Sequence, residues 1–360
     1  MMRQVIALLG RKDEPTDAVE EYCRYLGGAL TAHDIQLQIR RVPWEIHGWR
    51  DALHALQLQS ANWRDTWVLV QYTGLAWSAR GFPLRFPRVL RMLKSAGARV
   101  AVVFHDVEPF TSSRLIDRLR RRAQAHTMRW ALDLADLAIF TVPPGKLSWM
   151  KKIPEKVKFI PVGANLPFPE TPIRRTTAEI PTIGVFSITG GQQGARETQE
   201  IITAVQQAAQ KVGALRLSIF GRHSELREEA LRQGLLNLPV HLSVEGVVEP
   251  EEVVSRLAAC DVLLFVRNGI SSRRSSAIAG IAAGLPIIAY QNSETAPPVT
   301  DAGIVLVNPG QQPELNDALV RVLSDANLRE ELAARSRAAY QAHFAWPAIA
   351  LSFAKLLKSN

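Results

Sequence analysis

The ten residues Arg267-Asn268-Gly269-Ile270-Ser271-Ser272-Arg273-Arg274-Ser275-Ser276 join two adjacent arginines to four serines and a glycine. Residues 277–283 read as a short helix, closed by Gly284-Leu285-Pro286. Free N–H groups at a helix start favour an anion, and small residues let one approach. Serines supply caps and hydroxyl donors. Arg273 and Arg274 carry the paired N–H donors that grip phosphate oxygens. A diphosphate fits this chemistry; the alternative is a capped helix with two solvated arginines. A second loop, Thr189-Gly190-Gly191-Gln192-Gln193-Gly194-Ala195-Arg196, places three glycines in five positions before a helix. Such a backbone bends tightly near a ligand. It is not a phosphate loop of the Gly-Lys-Ser/Thr type. Gly221-Arg222-His223 follows another apolar run. Three such turns in one half suggest a nucleotide-binding domain.

The first half offers different groups. His105-Asp106 ends an apolar run, a place suited to proton handling or hydroxyl recognition, or else to a satisfied histidine and a turn cap. Either Thr16 or Asp17 caps the next helix, or Asp17, Glu20 and Glu21 meet acceptor hydroxyls. Tyr72, Trp77 and Arg80 set aromatics beside polar groups, which suits a sugar face, though Trp is more often core.

These groups need elements to hold them. Short runs rich in Val, Ile and Leu recur, six in the first half from 5–10 to 158–162 and six in the second from 182–188 to 303–307. Amphipathic stretches separate them, among them 17–30, 197–212 and 314–323, the last with Pro313 at its first position. Apolar strands alternating with helices indicate parallel sheets covered on both faces. The alternation pauses at 161–169, rich in proline, and continues through Thr171-Pro172 to Arg174-Arg175-Thr176-Thr177, which reads as a linker. The fold class is therefore α/β, with two Rossmann-like doubly wound domains facing a cleft, residues 1–165 and 170–345. In open parallel sheets ligands bind outside the carboxyl ends of the strands, so the loops above are where function belongs.

Composition narrows the classes. Hydrophobic residues make up 47% and charged residues 21%, which excludes global disorder. Two cysteines, Cys23 and Cys260, read as buried reduced thiols. The apolar part of the start is too short for a secretory signal, and no apolar run approaches the ~20 residues of a membrane span. A cytoplasmic protein, peripheral at most to a membrane, is expected. The net charge of +9 favours polyanionic partners. Its densest run, Arg114 to Arg122 and on to Arg129-Trp130, places Leu115, Ile116, Leu119 and Ala123 on one helical face and most arginines outside it. That face is either simply solvated or meets an anionic membrane surface; nucleic acid ranks last, because no reading motif is present.

Together these loops resemble the GT-B glycosyltransferases, most closely the retaining branch called glycosyltransferase group 1 (family 4-like). The resemblance rests on 15–22 before the first helix, Gln71-Tyr72, Arg80-Gly81-Phe82-Pro83 and Phe104-His105-Asp106. It rests further on Ile160-Pro161-Val162-Gly163-Ala164-Asn165, on 269–276 with Gly284-Leu285-Pro286, and on Phe344-Ala345-Trp346. It implies a nucleotide-sugar donor in the second domain, held by Thr189, Gly190, Gly191, Arg196, Gly221, Arg222, Gly269, Ile270, Ser271, Ser272 and Ser275. It implies a glycan or lipid-linked acceptor at Asp17, Tyr72, Trp77 and Arg80, and a last helix, 346–360, crossing back to the first domain. His105, Asp106, Arg273 and Arg274 become the catalytic set, with no metal and no cofactor beyond the donor. Members of the group usually place two glutamates eight positions apart in the donor loop; here Ser271 and Ala279 stand there. The usual Arg and Lys after the first strand of the second domain are Ser187 and Gln193 here, with Arg196 beyond. Arg273 and Arg274 are inferred to take over the diphosphate, as in a subgroup without the glutamate pair. The alternative is a GT-B-fold protein that has lost transfer and serves as a binding partner.

Overall fold

The computed structural model describes residues 2–14, 16–110, 114–169 and 180–359. Part of the linker reading, 170–177, lies outside them, as does Pro15. The chain divides into two compact units, Met1–Pro161 with Trp346–Asn360, and Val162–Ala345.

In the first unit six strands form one parallel sheet: β1 (Arg3–Leu9), β2 (Ile35–Arg41), β3 (Trp67–Tyr72), β4 (Arg99–Phe104), β5 (Leu137–Phe140) and β6 (Val157–Phe159). Their order is β2-β1-β3-β4-β5-β6. β3 is buried along its whole length, as a strand covered on both faces must be. Val68, Val70, Val100 and Val102 anchor the core beneath the helices. The helix Ala18–Leu30 starts where it does because Asp17 Oδ1 accepts the N–H groups of Val19 and Glu20 at 3.1 and 3.0 Å. The helix Trp346–Ser359 packs against it: the Trp346 ring stacks on Tyr25 with centroids 5.6 Å apart, and Arg3 Nη1 donates to the Leu357 carbonyl at 2.5 Å.

The second unit holds β7 (Thr182–Phe186), β8 (Leu215–Phe220), β9 (Val240–Val244), β10 (Val262–Phe265), β11 (Ile287–Tyr290) and β12 (Ile304–Val307), again parallel, in the order β12-β11-β10-β7-β8-β9. Its core runs through Ile183, Val185, Leu217, Leu264 and Ile288. Both cysteines are free and buried. Strand order reverses between β1 and β3 in one sheet and between β7 and β10 in the other. Chain leaving opposite sides of such a point opens a crevice at the carboxyl ends.

Candidate functional site

In the second unit the loops after β7, β8 and β10 meet at the reversal point. The Ile188 N–H donates to the Arg222 carbonyl at 3.0 Å, and the Arg222 N–H to Ser187 Oγ at 3.2 Å. Gly221 holds φ +100, and a Cβ there would lie 2.4 Å from Ser187 Oγ, so this crossing excludes other residues. The glycine-rich loop is itself the start of a helix: Gly190 is its N-cap and the helix runs Gly191–Val212, six residues earlier than the apolar periodicity suggests. Gly194 sits so tightly that a Cβ would lie 1.7 Å from the Thr189 carbonyl oxygen. Glu197, fully buried one turn on, accepts the Thr189 N–H at 2.8 Å and fixes the loop.

Four arginines gather around this junction. Burial and the charge of Arg222 both lower the pKa of Arg267, against the pull of Glu197. Arg274 is lowered to about 10, by burial first and then by Arg273 and Arg267, with Glu294 and Glu197 opposing. The Nε atoms of Arg267 and Arg274 are buried without a hydrogen-bond partner among the described residues. Arg273 differs: its Nε and Nη2 donate to the two oxygens of Glu294 at 2.7 and 2.8 Å. Ser271 Oγ donates to the same carboxylate at 3.0 Å. Burial raises the Glu294 pKa, but Arg273 and Ser271 outweigh it and hold the group below its ordinary value. The helix Ser275–Ala282 begins directly beyond, with Arg274 as its N-cap and no side-chain cap. Its first amides have no intrahelical acceptor.

Several sequence expectations need correction here. Ser271 and Ser272 are completely buried, and so is Ile270, so their side chains support the loop rather than face a ligand. Serine does not cap the helix. Gly269 keeps its role in the backbone: φ is +77 and a Cβ would lie 2.6 Å from Asn292 Cβ. Ser275 is partly exposed at the helix start, and Arg196 is exposed on its helix. Glu294 and Arg267 escaped the sequence reading. Glu294 lies four residues past β11, whose following loop must adjoin that of its neighbour β10, and this adjacency was the signal for it.

In the first unit a cavity of about 230 Å³ opens at the β1/β3 reversal, lined by Gly10, Arg11, Asp17, Gln71, Thr73 and Asp106 among others. Asp106 Oδ2 accepts the Gly74 N–H at 2.7 Å. His105 stands behind it. Gln71 Nε2 donates to the Leu69 carbonyl at 3.1 Å, which turns Gln71 Oε1 toward His105 Nε2 at 2.8 Å. His105 Nε2 therefore carries the proton. Burial lowers its pKa to about 4 despite Asp17, so the ring is neutral near pH 7.

Asp17 is committed twice, to its helix cap and to Arg41 Nη2 at 2.6 Å, an arginine that also holds Glu20 at 2.5 Å. Tyr72 and Trp77, expected at an acceptor, are both core residues. Tyr72 packs on Phe86 and Phe104, and Trp77 Nε1 donates inward to the Gln71 carbonyl at 2.8 Å. Neither offers a face to a sugar. Arg80 is exposed and contributes its carbonyl to Arg120 Nε at 2.9 Å. Among the described residues no three His, Cys, Asp or Glu side chains gather as metal ligands would, and no helix is long and apolar enough to cross a membrane.

Residues 184–325 match the family model described as glycosyl transferases group 1. The fold is similar to that of HepE from Anabaena, solved with UDP and glucose, at 15% identity over 99% of this chain and 100% of that one, with a TM-score of 0.66. It is similar to sucrose-phosphate synthase from Thermosynechococcus elongatus at 18% identity, 99% and 98% coverage and a TM-score of 0.72. It is also similar to WaaG, a glycosyltransferase involved in lipopolysaccharide biosynthesis, at 14% identity, 99% and 100% coverage and a TM-score of 0.57. The chain finds no match among curated protein sequences.

Proposed function

We propose that this chain, a GT-B glycosyltransferase whose residues 184–325 form a group 1 domain, moves a sugar from a nucleoside diphosphate sugar to a hydroxyl of a glycan or lipid-linked acceptor. The second unit takes the donor and the first unit the acceptor. Transfer retains the anomeric configuration, needs no metal ion, and serves synthesis of a cell-surface polysaccharide or glycoconjugate at the cytoplasmic face of a membrane. A fold shared with an enzyme solved with UDP and glucose, and with one involved in lipopolysaccharide biosynthesis, supports this reading.

One observation carries it. Arg267 and Arg274, with Arg222 and Arg273 beside them, share a loop cluster in which Glu197 and Glu294 pull the other way. Arg267 and Arg274 each keep a buried Nε with no hydrogen-bond partner among the described residues, Arg274 at a helix start, and a diphosphate supplies oxygens for both. When the bond from the anomeric carbon to the β-phosphate oxygen breaks, negative charge grows on the leaving diphosphate. Cations fixed in place beforehand stabilise that charge more in the transition state than in the ground state. Arg273, already neutralised by Glu294, holds the loop; Arg267 and Arg274 retain unused donors for the phosphates. In the first unit neutral His105 and Asp106 orient hydroxyls.

A thermal-shift panel of UDP-, GDP-, ADP- and TDP-sugars tests the donor assignment. Ligand at ~100 times its dissociation constant stabilises by about 2.7 kcal/mol. One base should stand out. No stabilisation by any nucleoside diphosphate overturns the reading and leaves a GT-B-fold partner protein in its place.

A further inference from the structure

Gln71 and His105 lie at the carboxyl ends of the adjacent strands β3 and β4, and their side chains meet. Gln71 is 1% exposed, yet both polar atoms of its side chain are used. Its Nε2 donates to the Leu69 carbonyl at 3.1 Å, and its Oε1 faces His105 Nε2 at 2.8 Å. Its backbone carbonyl accepts Trp77 Nε1 at 2.8 Å. A side-chain amide can turn over, exchanging oxygen for nitrogen. Here the exchange is blocked, because it would set the Gln71 oxygen against the Leu69 carbonyl, two acceptors with no proton between them. The His105 ring is held as well. The His105 N–H donates to the Tyr72 carbonyl at 3.0 Å, and the Tyr22 ring meets the imidazole edge-on, with centroids 5.0 Å apart at 83°. Trp346 closes behind Tyr22 at 5.3 Å.

One ring atom is left uncommitted. Burial keeps the ring neutral near pH 7. With its proton on Nε2, Nδ1 is a bare lone pair that can only accept. No described residue bonds Nδ1, and His105 is partly exposed. The two residues beside the ring, Gln71 and Asp106, both line the cavity of the first unit. Asp106 is an acceptor too, and takes the Gly74 N–H at 2.7 Å. The one amide donor at this corner, Gln71 Nε2, is spent on Leu69. An acceptor nitrogen next to a carboxylate suits a ligand group that donates. It opposes phosphate and carboxylate oxygens, which bring no proton of their own.

We propose that Gln71 is a positioning residue that locks His105 in one tautomer, so that Nδ1 accepts a hydrogen bond from an uncharged hydroxyl of the acceptor. Gln71 acts through the imidazole. The lock holds the hydroxyl by its hydrogen and sets the substrate class at this corner: a neutral sugar hydroxyl, not a phosphate or a carboxylate. A ring free to exchange tautomers would present an N–H there part of the time and admit an anionic oxygen. The inference deepens the acceptor half of the proposed function and rests on it.

Long-range proton–nitrogen correlation spectra of the full chain test it, since they separate protonated from bare imidazole nitrogens. The chain has 8 histidines, and the signals missing in His105→Asn belong to His105. Near neutral pH a bare Nδ1 and a protonated Nε2 are expected, and in Gln71→Leu the two forms should mix. Methyl glucoside, methyl mannoside and methyl galactoside serve as hydroxyl probes, glucuronate and inorganic phosphate as acidic ones. At least one glycoside should move the wild-type Nδ1 signal, and neither acid should. Affinity read on the glycoside's own proton signals should weaken up to about tenfold in Gln71→Leu and His105→Gln, the loss of one hydrogen bond between neutral groups. It should weaken less in His105→Asn, whose amide oxygen can stand where Nδ1 stands. A donor thermal shift retained by each variant verifies the fold. That shift also separates the two readings: donor stabilisation with the proton on Nδ1 sinks the tautomer lock alone. A proton on Nδ1 in the wild type, an unchanged tautomer in Gln71→Leu, or an Nδ1 signal that no glycoside moves or that the acids move equally each overturn the proposal.

Discussion

Arg274→Met separates a ligand-holding arginine from a structural one by the sign of two effects. Methionine keeps most of the aliphatic stem and removes the charge. In the folded protein the Arg274 pKa falls from 12.5 to about 10, because burial and the neighbouring cations Arg273 and Arg267 disfavour the charged form. At 1.36 kcal/mol per pKa unit, holding that charge costs the empty fold about 3 kcal/mol. Removing it should therefore not destabilise. Each recovered 1 kcal/mol raises the melting temperature of a unit this size by about 2–4 °C. The nucleoside diphosphate should respond in the opposite sense. A hydrogen bond to a charged group contributes about 1.5–3 kcal/mol, so its loss weakens the affinity roughly 10- to 150-fold. Scanning calorimetry of the empty protein and isothermal titration with the stabilising nucleotide measure the two. A structural arginine, such as one clamping the helix start, would lower both quantities together. A variant that melts lower, or binds with the wild-type dissociation constant, refutes the reasoning.

Glu294→Ala strips Arg273 of its bidentate partner and leaves a partly buried cation uncompensated. A loss of about 3 kcal/mol is expected, read as a lower melting temperature that Glu294→Asp partly restores. Stability should also fall as the pH drops from 6.5 toward 4. Over that window the unfolded chain binds a proton that buried His105, with its pKa held at about 4, excludes. His105→Gln should flatten this acid limb in melting curves taken across the range, and an unchanged slope would assign the limb to other groups. Transfer with arginines as the charge-stabilising groups should proceed unchanged in excess chelator; a rate lost to EDTA and restored by a divalent ion would move that role to a metal.

All twelve strands were legible in the sequence, the central ones because a parallel strand covered on both faces is apolar throughout, the edge strands β2 and β9 from a looser mix of apolar and polar residues. The start of the first helix was legible too, since Asp17 stands where the local backbone needs an acceptor. The misreadings share a cause. Tyr72 ends β3 and Trp77 follows in the next turn, and only the tertiary packing on Phe86, with Phe104 beside Tyr72, shows that they face inward. On the helix Leu115–Leu134 the shared face of Leu115, Ile116 and Leu119 is not the buried one, because Arg120 and Gln124 turn to the Arg80 and Gly81 carbonyls, which no periodicity reports. Glu294, Arg267 and Arg41 act across loops distant in sequence, so their partners become visible only once strand order is known.

Strand order also divides a charge that composition presents as one number. The net +9 suggests a single diffuse attraction to polyanions. The fold instead sorts its arginines into two populations with different physics. Arg267 and Arg274 are largely withdrawn from water, where neighbouring charges shift their pKa values. Arg118, Arg121, Arg122 and Arg129 stand in solvent. Screening by salt reaches the second group far more than the first, since partly buried charges are shielded less than exposed ones. A buried cation cluster selects a ligand small enough to enter and dense enough in charge to neutralise it. Donor binding that survives salt is the behaviour such a partition requires.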